Sequence, residues 1–296
     1  MTSTTVNLRA AAMIAAAMTL FSGSDAVVKL LTTTVPPGQI MACRGVLACA
    51  LVVVILIARR ERLDPRAWRD PANLGRGVLE IGVAWFYFNG LARLPLAEAT
   101  AILFVFPLLL TAAAALFLGE RVRWRRWAAV LAGLIGVLVI MRPGGASWSS
   151  AALWPLAAAG CIAARDLVTR HLPPDLGTTT ASLSTTAIVA LAGCLTLPAG
   201  WASIGMAEVG GFALSALLIG LGSLALVEGT RRGDVSFTAA FRYLSIPLAF
   251  VLGVLVWGHV PDLWVILGSL IVMGSGLFVL HRERQLLRAP AAGSRP

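Results

Sequence analysis

Ten apolar stretches follow one another along this chain of 296 residues, separated by short connections. A helix of about 20 apolar residues is long enough to cross the hydrocarbon core of a bilayer. Only 13% of the residues are charged, whereas soluble domains are about a quarter charged. The sequence therefore predicts an all-α membrane protein of ten transmembrane helices without a folded soluble domain. The predicted spans are 10–31, 39–58, 74–92, 97–118, 124–141, 151–169, 178–198, 209–228, 235–257 and 263–281.

The arginines between the spans predict the orientation of the chain. If the N-terminus is cytoplasmic, the inside segments hold seventeen arginines and the outside loops hold only Arg93 and Arg142. Lysine and arginine concentrate in cytoplasmic loops. We therefore expect a multi-pass protein of the cell inner membrane with both termini in the cytoplasm. This distribution explains the net charge of +10 without a nucleic-acid partner, so we expect the lipid bilayer and a small-molecule substrate as partners and a monomer as the basic unit.

The chain repeats itself at a spacing of about 140 residues. The segment Asp-Ala-Val-Val-Lys at 25–29 is echoed by Asp-Leu-Val-Thr-Arg at 166–170. Further matched pairs are Pro107 with Pro247 and Gly119 with Gly258. Each half holds five spans, and an odd number forces the second half to enter the membrane the opposite way up. We therefore predict an inverted repeat of two halves, 1–145 and 146–296.

An inverted repeat of this kind is typical of secondary transporters, in which exchange of the two halves' conformations gives alternating access. Pro107 and Pro247 fall near the middle of matched spans and bend their helices, so we predict paired hinges there; simple packing kinks are the alternative. A duplication kept only for structure and a passive channel also remain open. The sequence has no HExxH, GxSxG or P-loop motif and no paired cysteine spacing. We therefore predict neither an enzyme nor a cofactor or metal site.

Polar side chains inside spans are costly and normally face the bundle interior or a wet cavity. Asp25 and Lys29 lie one turn apart and can pair, and Arg76 can compensate Glu80, which is otherwise a candidate proton site. For Arg44 we expect a structural role, as a partner of Asp25 or of Glu98. The predicted cavity residues are Ser22, Asp25, Lys29, Glu80, Trp85, Tyr87, Phe88, Asn89, Arg165, Thr238, Arg242, Tyr243 and Ser245.

Four consecutive aromatic residues at 85–88 wrap most of one helix, so at least one must face the interior. Tyr87 continues the helical stripe of Arg76 and Glu80, and Tyr243 with Ser245 can supply a second wall. An apolar pocket with a few polar groups suits a zwitterion that carries a neutral or aromatic side chain. Aromatic residues that face lipid or the membrane interface are the alternative.

Three features carry a resemblance to a known family: Arg44 in the second span, Pro107 in the fourth, and the ending Phe-Leu-Gly-Glu-Arg at 117–121. With the repeat, they make the chain similar to the EamA-type ten-helix members of the drug/metabolite transporter superfamily, and most similar to the YddG-type amino-acid exporters. The resemblance implies a central cavity and export of small metabolites, amino acids in particular. Drugs or other organic metabolites are the alternative substrates. The second half departs from the pattern, with Trp-Gly-His at 257–259.

Overall fold

The computed structural model describes residues 3–119, 123–142, 149–173, 175–232 and 240–288. The described residues form helices and turns and contain no β-strand, so the predicted all-helical fold is confirmed. The α-helices are α1 (Ser3–Leu31), α2 (Pro37–Ala58), α3 (Pro71–Arg93), α4 (Leu96–Leu103), α5 (Phe106–Phe117), α6 (Trp124–Met141), α7 (Leu153–Thr169), α8 (Thr178–Cys194), α9 (Met206–Arg232), α10 (Ser245–Trp257) and α11 (Leu263–Arg288). Short 3-10 turns occupy Pro65–Trp68, Ser150–Ala152, Leu197–Ala199 and Phe241–Leu244.

Eight of the helical segments are long and apolar enough to cross a membrane, with α4 and α5 counted together as one span, Leu96–Phe117. The two remaining predicted spans are less apolar or shorter. The third, α3, has 23 residues but carries Arg76, Glu80 and Arg93. The ninth is the shorter apolar helix Phe241–Trp257, and the first residues predicted for it lie outside the described part.

The fourth and ninth spans are both interrupted just before their prolines. In the fourth span, α4 ends at Leu103 and α5 begins at Phe106, next to Pro107. In the ninth span, a 3-10 turn precedes α10, in which Pro247 is the third residue. Proline cannot donate a backbone hydrogen bond and its ring clashes with the preceding turn, which explains both breaks. The role of the two prolines as hinges stays a prediction.

The same two spans also end alike. Gly119 and Gly258 each adopt a backbone φ of 67°, in the left-handed region that glycine enters without strain and that commonly terminates helices. The pairing of these glycines in the sequence repeat therefore corresponds to one shared backbone conformation.

The helices pack in pairs that follow the sequence repeat. When each span of one pair is replaced by its counterpart five spans along the chain, the result is again a pair of helices that pack together. The first span, α1, packs along α9, and the third, α3, packs along α7. The second and seventh spans, α2 and α8, pack on each other, as do the fifth and tenth, α6 and α11. Two halves related by an inverted repeat produce this pattern. The division at 145/146 falls in 143–148, outside the described residues, and stays a prediction.

Glycine allows the closest helix approaches. A Cβ on Gly193 of α8 would lie 2.4 Å from the backbone nitrogen of Ala42 on α2. On the α6–α11 pair, a Cβ on Gly136 would lie 2.9 Å from the carbonyl oxygen of Gly268, and one on Gly268 would lie 2.6 Å from that of Gly136. Small residues let membrane helices approach closely, so α6 and α11 form a tight supporting pair.

Candidate functional site

The bundle has two ends that differ in how tightly they are packed. We call the end that holds the connections after α2, α5, α7 and α9 the arginine-rich end, and the other the opposite end. Towards the opposite end, residues 87–91 of α3 and 99–102 of α4 are all buried, and α4 packs against α10. Towards the arginine-rich end, residues 79–84 of α3 all retain exposed surface, while α5 turns away to pack on α6 and α7. The bundle is therefore tightly packed at the opposite end and more loosely packed towards the arginine-rich end, which we call the open half.

A group of charged side chains lines the open half. The guanidinium of Arg165 on α7 donates to Glu80 Oε2 on α3 at 2.9 Å and to its neighbour Asp166 Oδ1 at 2.7 Å. Arg76 and Arg242 interact electrostatically with this group. We call these five residues the charged vestibule. Arg165, and not Arg76 as predicted, therefore forms the ion pair with Glu80, because α3 and α7 pack side by side.

A second polar group lies deeper in the bundle. The Tyr87 hydroxyl donates to Asp25 Oδ2 at 3.1 Å and lies 3.4 Å from Thr100 Oγ1. The opposite charges of Arg44 and Asp25 attract each other. Asp25 retains exposed surface although its neighbour Ser24 is fully buried. We call Asp25, Arg44, Tyr87 and Thr100 the deep cluster. The deep cluster therefore contains a half-buried aspartate that is hydrogen-bonded to Tyr87 and attracted to Arg44.

Lys29, the only lysine of the chain, connects α1 to the end of α3 at the opposite end of the bundle. Its Nζ donates to the backbone carbonyls of Leu91 and Leu94, at 2.9 and 2.6 Å, and lies 5.6 Å from the ring centre of Trp257. The prediction that Asp25 pairs with Lys29 is therefore wrong. The last carbonyls of a helix lack intrahelical partners and carry partial negative charge, so the end of α3 attracts the ammonium instead.

An ion pair between Arg142, after α6, and Asp262, before α11, joins two further elements at the same end. Burial alone would raise the pKa of Asp262, but hydrogen bonds from Arg142 and from the backbone N–H of Val265 outweigh it and hold that pKa below its usual value. Asp262 therefore stays ionised at neutral pH and keeps its attraction to Arg142.

Residues 8–142 match the model of the EamA-like transporter family. A riboflavin transporter of Rhizobium johnstonii is 33% identical over 230 residues, which cover 76% of this chain and 74% of that protein. This chain belongs to the EamA-like transporter family. It is a multi-pass small-molecule transporter and not an enzyme.

More distant relatives and a solved structure extend the comparison. The pseudopaline exporter CntI of Pseudomonas aeruginosa is 26% identical over 265 residues, 86% of this chain and 89% of that protein. An S-adenosylmethionine uptake transporter of Rickettsia bellii is 24% identical over 210 residues, 69% of each chain. A solved crystal structure has a TM-score of 0.63 and 23% identity over 95% of this chain and 99% of its own, which supports the fold of this EamA-like transporter.

The aromatic residues of α3 divide between the interior and the surface. Phe88 is buried and lies under the Arg44 guanidinium, 5.3 Å from its ring centre, while Trp85 is 36% exposed. Asn89 donates to the Trp85 carbonyl and accepts from Arg93 at 2.7 Å. In this EamA-like transporter, Tyr87 therefore belongs to the deep cluster and Phe88 packs against its Arg44, whereas Asn89 makes its hydrogen bonds within its own helix.

The ninth-span residues lie elsewhere. The Tyr243 ring packs 5.7 Å from that of Phe104, and its hydroxyl occupies the space in which Gly276 would carry a Cβ. Ser245 donates to the Met18 sulfur at 3.3 Å. Tyr243 and Ser245 thus make contacts between helices, and their role as a second wall of the cavity stays a prediction. Ser22 is buried with no hydrogen-bond partner for its hydroxyl among the described residues. Thr238 lies outside the described residues.

Four residues of these groups were not among the predicted cavity residues: Arg44, Arg76, Thr100 and Asp166. A structural role was expected for Arg44, and compensation of Glu80 for Arg76. Thr100 was missed because a threonine in an apolar run gives no signal of its own. Asp166 did give a signal, because it is the repeat counterpart of Asp25. A cavity of about 790 Å³ at the arginine-rich end lies between the loops after α2 and α7; it contains no predicted cavity residue.

Proposed function

We propose that this EamA-like transporter is a secondary transporter that exports small organic metabolites across the inner membrane by alternating access. One observation carries the proposal: charged side chains that retain exposed surface lie in the open half of the bundle, while Lys29 joins α1 to the end of α3 at the tightly packed opposite end. The positive-inside rule places the arginine-rich end in the cytoplasm. The structure then corresponds to the state that takes up substrate from the cytoplasm.

In the opposite state, the two halves exchange their conformations. The span pairs α3 with α4–α5 and α9 with α10 rock about Pro107 and Pro247. The Lys29 contacts to the end of α3 break, and the vestibule closes. The two matched interruptions and glycine endings support this exchange because they give both halves the same flexible points.

For the substrate we propose amino acids with neutral or aromatic side chains. The deep cluster offers a carboxylate, Asp25, for the ammonium group of an amino acid, and the Arg44 guanidinium balances the charge of that carboxylate. Tyr87 and Phe88 supply aromatic surface beside them, which suits an apolar or aromatic side chain. Riboflavin or another organic metabolite is the second candidate, favoured by the relative that is 33% identical.

Counterflow in proteoliposomes tests both parts of this proposal. Purified protein is reconstituted, the vesicles are loaded with unlabelled compound, and uptake of the labelled compound is followed for amino acids, riboflavin, sugars and cationic drugs. We expect preloading to stimulate the uptake of neutral and aromatic amino acids. If only riboflavin or sugars stimulate uptake, the amino-acid assignment is wrong but the protein is still a transporter. Uptake that preloading does not stimulate would indicate a channel.

The two tyrosines of the chain provide a matched pair of variants. Tyr87→Phe removes a hydrogen bond to Asp25, whereas the Tyr243 hydroxyl has no hydrogen-bond partner among the described residues. A hydrogen bond to a charged group contributes about 1.5–3 kcal/mol. We expect Tyr87→Phe to lower counterflow by about tenfold and Tyr243→Phe to leave it unchanged. Equal activity of both variants would place the substrate site away from the deep cluster.

A further inference from the structure

The charged vestibule contains more positive than negative groups. Three guanidiniums, from Arg76, Arg165 and Arg242, face only two carboxylates, from Glu80 and Asp166. Arg165 hydrogen-bonds to both carboxylates. Arg76 and Arg242 therefore form no hydrogen bond with either carboxylate of the vestibule.

Arg76 and Arg242 have no side-chain hydrogen bond or ion pair in the described part of the chain, and the Nε of Arg242 is buried without a partner. Arg76 is attracted by Glu80 and Asp166 and repelled by Arg165, whereas Arg242 is attracted by Asp166 and repelled by Arg165. Both side chains retain exposed surface. In the open state, water that enters the vestibule can solvate them.

Closing this end of the transporter removes that water. A charged group that loses water without gaining a counter-charge is strongly disfavoured inside a protein. Arginine remains charged under all physiological conditions, so these groups cannot neutralise themselves by losing a proton. Three guanidiniums and two carboxylates leave one excess positive charge, which opposes closure of the empty vestibule, and a bound anion removes this excess.

We propose, on the basis of the transport function above, that Arg76 and Arg242 bind the anionic group of the substrate, a carboxylate or a phosphate, and that the vestibule closes only with this anion bound. Arg165 positions the site by holding both carboxylates away from the incoming anion. The transporter then exchanges one anionic substrate for another much faster than it returns empty. Anionic character becomes a requirement for the substrate, beside the neutral or aromatic remainder.

Paired compounds that differ only at the acidic group test this inference by counterflow. Phenylalanine is compared with phenylalanine amide, and riboflavin 5′-phosphate with riboflavin. We expect the acid or the phosphate to exceed its partner at least about tenfold in kcat/KM, as the loss of a charge-assisted hydrogen bond implies. Arg76→Gln and Arg242→Gln should each reduce that preference about tenfold, mainly by slowing transport of the acid.

Two controls separate charge recognition from folding. Arg125→Gln removes the same charge from an exposed position in the first turn of α6 and should change nothing. Arg76→Lys and Arg242→Lys should restore part of the preference. In Arg76→Gln and in Arg242→Gln, the ratio of exchange to net efflux should fall towards one, because two guanidiniums and two carboxylates leave no excess charge and the empty vestibule can close.

The outcomes distinguish this inference from the transport function. If no compound shows counterflow, the transport function fails and the inference fails with it. If riboflavin or phenylalanine amide is exchanged as fast as its anionic partner, the anion site is overturned and the transporter stands. An equal loss of activity for charged and uncharged compounds in the arginine variants overturns it as well.

Discussion

Arg165→Gln should cause one of the largest losses of both transport and stability in this protein. The substitution leaves Glu80 and Asp166 without their shared counter-charge inside the membrane-spanning bundle. Breaking a buried ion pair by removing one partner costs about 3–5 kcal/mol, and partial exposure reduces that cost. With these side chains 24–33% exposed, we expect roughly 1–3 kcal/mol of destabilisation and a loss of about ten- to a hundredfold in transport.

A double-mutant cycle and an exposed ion pair serve as controls. Glu80→Gln removes one unpaired carboxylate from the Arg165→Gln protein, so the double variant should recover part of the lost stability, measured as Tm in detergent. Strictly additive effects would mean that the two side chains do not interact. Arg66→Gln breaks a 3.0 Å pair with Asp175 whose side chains are 75% and 69% exposed. This control should lower stability by less than about 1 kcal/mol.

Lys29→Met should open the opposite end of the transporter. The variant keeps an apolar side chain of similar length but removes the ammonium that donates to the carbonyls of Leu91 and Leu94. Hydrogen bonds to a charged group contribute about 1.5–3 kcal/mol. We therefore expect the population open at that end to rise about ten- to a hundredfold. Under the proposed export function, export should slow because the resting state no longer favours loading from the arginine-rich end.

Accessibility of a single cysteine measures this shift. The native cysteines are first replaced by alanine: Cys43, Cys49, Cys161 and Cys194. A cysteine at Thr100, which is 3% exposed, is then labelled with a membrane-impermeant maleimide from the outer side. Labelling should be slow in the parent and in Lys29→Arg, and faster in Lys29→Met. An unchanged labelling rate in Lys29→Met would show that this contact does not hold the end closed.

Local sequence is enough to predict the placement of the helices and the points at which they break. Runs of apolar residues specify spans because the bilayer offers no partner for an exposed backbone. Pro107 and Pro247 specify interruptions because proline lacks the N–H that a helix needs. The matched glycines, Gly119 and Gly258, specify helix endings because they tolerate a positive φ. Each of these effects acts within a few residues of its cause.

Which charges pair depends on how the helices pack, and helical spacing does not predict it. Helical spacing relates Asp25 to Lys29, but the ammonium binds carbonyls 62 and 65 residues further along the chain. Glu80 pairs with Arg165, 85 residues away. Helical periodicity places a side chain on a face and leaves open which helix packs against that face. The close packing that glycine permits between spans brings these charges together, and ionisable groups inside a membrane then pair with whichever counter-charge lies within reach.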